Sequence, residues 1–139
     1  MNFKVSAVAL CLVMTAPAMA NTSDQQTRVM DYCQQTSLPL LVAASMFVTK
    51  HASNVAPADA RPEIQKYVSD SVEYKKASST VKSAMDKVVT ELANTGAMQA
   101  HQQAMMSQGE KYLGVHAISW GMKTVGPFTA WCNYNHFER

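Results

Sequence analysis

None of the short signatures that mark a catalytic site occurs in this sequence. There is no G-x-S-x-G nucleophile turn, no H-E-x-x-H, no Walker loop and no Gly-rich dinucleotide fingerprint. That removes the local case for hydrolytic, zinc-peptidase, nucleotide and dinucleotide chemistry, and leaves only a site assembled without a local motif. Period-two alternation of apolar and polar residues is missing too, so no sheet is expected. No block of like charge forms a tail, and the net charge is only +2. Such a balance gives no electrostatic case for nucleic acid or an anionic membrane. There is no internal repeat and no low-complexity segment. Beyond residue 20 no apolar run is long enough to cross a bilayer.

What is present begins with a leader. Lys4 supplies a positive start, Val5 to Met14 is apolar but for Ser6, and Ala18-Met19-Ala20 places small residues where a signal peptidase needs them. Residues 1–20 therefore read as a cleaved secretory signal. A lipoprotein reading fails because bulky Leu10 precedes Cys11, where a small residue is required. The expected mature chain, 21–139, suits one helical domain with a single core. Removal of the leader takes away Lys4 and no acid, leaving a net charge near +1.

Of the three cysteines, Cys11 leaves with the leader. Cys33 and Cys132 remain, and two cysteines in an exported domain read as a disulfide, because that compartment is oxidising. Neither sits in a C-x-x-C, and Cys132-Asn-Tyr-Asn-His136 lacks companion ligands, so the structural reading prevails over redox or thiolate-metal chemistry.

Helical periodicity organises the rest. Ile64, Val68 and Val72, then Val81, Met85, Val88 and Leu92, form one apolar stripe over 62–94, with Tyr74 and Ala77 in the middle. An unbroken helix there would run about 50 Å, so Ser78-Ser79-Thr80 is the expected interruption. Upstream, Thr22 or Ser23 heads a possible capping box, a first helix reaches about Gln35, and Pro39 forces a sharp kink or a new start near Ser37. The apolar run from Leu40 to Val48 is the expected most buried element. A loop is expected over 51–61, with Pro62 opening the next helix. A last helical region spans about 97–123, broken near Ser107-Gln108-Gly109, and Gly126-Pro127 is expected to end it before a short final helix through Asn133. Ala117 and Gly121, four apart, allow another helix to approach closely.

Two constellations carry candidate chemistry. Met98, His101 and Met105 stack on one helix face, and two thioethers with an imidazole form a soft donor set suited to Cu(I) or Ag(I). The M-x-x-H and H-x-x-x-M spacings resemble those of exported copper- and silver-binding proteins, and that resemblance implies a soft-metal site at these three residues. The competing reading is methionine filling a core. Tyr112, His116 and Trp120, each four apart, either line a partner-binding surface or are the buried face of an amphipathic helix. A b-type haem held by Met30 or Met46 with His101 or His116 is a further alternative, while c-type attachment is excluded for want of C-x-x-C-H. Glu63, Asp70 and Glu73 read as members of solvent-facing ion pairs.

The expectation is an all-α fold: a small four- to five-helix bundle with one disulfide tying the first helix to the C-terminal segment. Its expected role is that of an exported periplasmic, non-catalytic binding protein without a cofactor. Its expected partner is another periplasmic or secreted protein, which it would serve as inhibitor, immunity protein or chaperone-like adaptor. The alternative is a soft-metal or haem-binding bundle. The methionine- and aromatic-rich C-terminal third is where recognition is expected, held against the 62–94 spine.

Overall fold

A computed structural model describes residues 6–137 of the chain, with side chains described over 23–136. The expected leader and cleavage site, over 1–20, lie outside the residues whose side chains are described. The elements run α1 (Ser6–Ala52), α2 (Pro57–Asp70), α3 (Val72–Lys76), α4 (Ser79–Leu92), α5 (Thr95–Ser107) and α6 (Leu113–Phe137). The fold is an all-α bundle in which Cys33 of α1 and Cys132 of α6 are bonded, with their Cα atoms 5.7 Å apart. No strand occurs among the described residues.

The α1 and α6 helices form the longest contact, and α2, α3 and α4 also rest on α1. Leu40, Ala43, Ala44, Phe47 and Val48 supply the α1 side of the core, as the apolar run foretold. Ile64 and Val68 of α2, Val81, Met85, Val89 and Leu92 of α4, and Val125 and Phe128 of α6 complete it. Met98 is the buried anchor of α5. Side chains of this size contribute about 1.5–3 kcal/mol each when removed from water.

Four boundaries differ from the expectation. The α1 helix passes through Pro39 unbroken, and in the intact chain it does not start at Thr22 or Ser23. Pro39 lacks the N–H that would pair with the Gln35 carbonyl, a cost of about 3 kcal/mol. The fully buried side chains of Leu40, Ala43, Ala44, Phe47 and Val48 outweigh it. Thr36 and Ser37 sit in the same turn and turn their hydroxyls back on the Tyr32 and Cys33 carbonyls, each at 2.7 Å. The same logic carries α6 through Gly126-Pro127, where Val125, Phe128 and Cys132 are all buried. The expected separate final helix is thus the second half of α6.

The expected loop over 51–61 is shorter. Lys50, His51 and Ala52 are still helical, and Asn54, at φ +63°, closes α1. Its N–H meets the His51 carbonyl while that of Val55 meets the Lys50 carbonyl, the paired bonds of a Schellman closure. Pro57, not Pro62, then occupies the first turn of the next helix. Finally, the 62–94 stripe is divided twice. Ser78 caps α4 through its hydroxyl to the Val81 N–H (3.3 Å), as the Ser-Ser-Thr run implies. A second cap at Ser71, bonded to the Tyr74 N–H at 3.1 Å, makes the additional one-turn helix α3. The break turns Val72 out of the stripe to 58% exposure.

Candidate functional site

The α5 and α6 helices are joined by a link whose geometry is set locally. Gly109 stands at φ +89°, a left-handed conformation that an L side chain resists. Its N–H and that of Glu110 bond the Met106 and Met105 carbonyls, closing α5 in a second Schellman motif. Glu110 then turns the chain into α6: its carboxylate accepts the Tyr112 N–H at 2.6 Å. Its carbonyl lies 2.9 Å from His116 Nε2, which therefore carries a proton and donates.

This link lays one side of α5 against α6. Met98 is fully buried, the His101 ring lies 5.5 Å from the Trp120 ring, and Met105 Sδ accepts the Ser119 hydroxyl at 3.6 Å. His101 and Met105 thus face α6, and Met98 lies on the same side of α5, the one face that their spacing implied. His101 Nε2 and Trp120 Nε1 are buried without a hydrogen-bond partner among the described residues. Burial, followed by the nearby charges of Lys123 and His116, lowers the His101 pKa from its ordinary 6.5 and keeps the ring neutral. Among the described residues no group of three or more His, Cys, Asp or Glu side chains is placed to hold a metal, so a metal here would rest on thioethers.

The aromatic row is split. His116 and Trp120 are buried, whereas Tyr112 is 72% exposed beyond the start of α6, and the three do not form one surface. Of the haem candidates, Met30 is 43% exposed and His116 Nε2 is already committed to Glu110. Glu63 pairs with Lys50 at 2.6 Å. Asp70 pairs with Lys66 and Lys75, and its hydrogen bond to Lys66 and that residue's charge hold its carboxyl below the usual range. These pairs are solvent-facing, as expected, whereas Glu73, expected in such a pair, has no ion-pair partner among the described residues.

Two features escaped the sequence reading. Asp86 is half-buried. It accepts the Gln65 amide at 2.7 Å and the Tyr74 hydroxyl at 3.1 Å, joining α2, α3 and α4. Burial and this carboxylate raise the Tyr74 pKa above its ordinary value. Only the i, i+12 distance from Tyr74 to Asp86 separates the pair in sequence, and no helical period signals it.

The second feature is an open groove of about 600 Å³ between α4 and α6. Val88, Phe128 and Trp131 give it an apolar floor, and Ser79, Thr80, Ser83, Lys87, Glu91 and Thr124 supply its rim. Phe128 and Trp131 rings lie 5.9 Å apart. The groove exists because α6 continues through Pro127, which brings Trp131 alongside α4. A helix ended at Gly126 would not reach it. The chain matches no family profile, no curated protein and no solved structure.

Proposed function

We propose that this chain is an exported, non-catalytic binding protein that holds a polypeptide segment of another periplasmic or secreted protein in the α4/α6 groove. The observation that carries this reading is the groove itself. It joins an aromatic floor, whose Trp131 is only partly covered, to a rim of four hydroxyls, one lysine and one glutamate. Aromatic side chains in partly desolvated pockets carry a large share of binding energy at protein interfaces, and a hydroxyl rim meets the polar backbone of a bound segment. An amphipathic helix laid along α4 and α6 is the occupant this shape suits. Inhibitor, immunity protein and adaptor are all roles performed by such a groove. Export is supported by the leader composition and by a disulfide, which oxidising compartments maintain. No helix among the described residues is long and apolar enough to cross a membrane.

A photo-crosslinking residue placed at Ser83 in the exporting cell tests the reading. A discrete adduct with one protein, lost when Trp131→Ala is added, is the expected result. Absence of any adduct from Ser83, Thr80 and Thr124 alike would sink it. Amino-terminal sequencing of the exported protein checks the leader, with Asn21 as the expected first residue.

A second reading has its own observation. His101 Nε2 is buried without a partner among the described residues, and Met105, one helical turn further along α5, turns its thioether to Ser119 of α6; imidazole and thioether are soft donors for Cu(I) or Ag(I). Native mass spectrometry with Ag(I) should then show one bound ion, abolished by His101→Ala. No ion bound at micromolar concentration ends this reading.

A further inference from the structure

The side of the α1/α6 pair that faces away from the core is apolar, uncharged and uncovered. Leu38, Leu41 and Val42 of α1 are 55%, 39% and 44% exposed, and Ile118 and Met122 of α6 are 65% and 67% exposed. Other exposed apolar residues, such as Val72 of α3 and Met106 of α5, stand on different elements, which is ordinary for a surface. These five lie together, and no charged residue occurs in α1 between Asp31 and Lys50 or in α6 between Leu113 and Met122, apart from buried His116. From the exposed fractions, the five side chains present on the order of 500 Å² of apolar surface, at the upper end of the largest patch on a typical monomer.

The face also has a shape. A hollow of about 370 Å³ lies between the two helices, walled by Leu41, Ile118 and Met122, with Ser45, Gly114, Ala117 and Gly121 also lining it. It exists because Gly121 lets α6 come close to α1: a Cβ there would stand 3.4 Å from both the Ala44 Cβ and Leu41 Cδ2. Projecting side chains and a hollow that would accept them are therefore on one surface.

We propose that this face is a two-fold interface on which a second copy of the chain docks, seating Ile118 or Met122 of each copy in the hollow of the other. In such an interface every residue on the patch meets the same patch on its mate. A charged face would repel itself, and this one carries nothing to repel. It equally offers no charge with which to select an oppositely charged partner. Knob and hole on one surface are self-complementary, the arrangement by which helices pair side by side. The apolar centre of about 500 Å² approaches the roughly 800 Å² per partner of a stable interface. The proposal stands apart from the α4/α6 groove, which a mate on the opposite side of α6 leaves open.

Sedimentation equilibrium of the disulfide-bonded protein between about 1 and 200 µM tests it, as does the same measurement on Ile118→Arg and Val42→Glu. Both sites are exposed, and circular dichroism of the variants controls for folding. Val72→Arg, equally exposed but off the face, is the comparison. The expected result is a wild type of twice the chain mass, a Val72→Arg protein indistinguishable from it, and face variants dissociating at least about tenfold more readily. A wild type monomeric throughout overturns the proposal, and so does a dimer that the face variants leave unchanged. Photo-crosslinking from Ile118 separates the remaining case: an adduct with a different protein, or co-flotation with neutral vesicles, also overturns the second copy. None of these outcomes bears on crosslinks from Ser83, so the two readings fail separately.

Discussion

At the scale of single residues, the two positions that most repay substitution are His101 and Gly121. The His101 ring is kept neutral by burial and by the charges of Lys123 and His116, so its folded pKa lies below 6.5. As pH falls through that ordinary value the unfolded chain takes up the proton first. Stability from this residue is therefore complete above about pH 6.5 and is lost progressively towards the lower folded value. Thermal unfolding of wild type should thus weaken between pH 7.5 and 5.5 more steeply than that of His101→Phe, which keeps a ring against Trp120 and does not titrate. Equal slopes would mean the imidazole is not held neutral. Gly121 has no room for a branched side chain, since even a Cβ stands at 3.4 Å from two α1 side-chain atoms. Gly121→Val should cost about 1–3 kcal/mol through overpacking, read as a lower denaturation midpoint. An unchanged midpoint would show that the helices part freely.

At the scale of elements, helix ends were easier to read than helix interiors. Ser78 and Asn94 are polar caps with side-chain oxygens that accept the Val81 and Ala97 N–H groups, and the breaks they mark stand out in sequence because that chemistry is local. Gly109 belongs to the same class. Gly109→Ala should cost about 1–2 kcal/mol, the penalty for a Cβ in a left-handed conformation, measurable by urea unfolding. A neutral effect would mean that α5 closes in some other way. Pro39 and Pro127 were misread for the opposite reason. Their local cost is written in the sequence, but the compensation lies in what α1 and α6 bury against each other, which only the packed structure reveals. The stripe residues Ile64, Val68, Val81, Met85, Val88 and Leu92 are buried as their spacing required, whereas Val72 escaped through a cap at Ser71 that looks like any other serine. The α4/α6 groove was illegible because it depends on α6 passing through Pro127. Met98, His101 and Met105 lie on one face of α5, since spacings of three and four residues are enough to say so; what that face meets was not readable.

At the scale of the whole molecule, a bundle of modest size has one covalent fastening. Cys33 and Cys132 are 99 residues apart in sequence, and closing a loop of that length removes about 4–5 kcal/mol of unfolded-state entropy. The double variant Cys33→Ala with Cys132→Ala should therefore lose up to that amount, seen as a large fall in the chemical denaturation midpoint. A loss below about 1 kcal/mol would show that the reduced chain is already constrained. Beside the bond, Ser37 and Thr129 hydroxyls meet at 2.7 Å across α1 and α6, so the same end of the pair is held by a hydrogen bond when the cysteines are reduced. The fastening also makes α2, α3, α4 and α5 part of a closed ring. A protease that cuts the exposed turn at Ser53-Asn54, or the α5–α6 link at Gln108-Gly109, opens that ring without releasing a piece. The cut protein should migrate as one species on a non-reducing gel and as two only after reduction. For a molecule that meets peptidases, one scission is survivable.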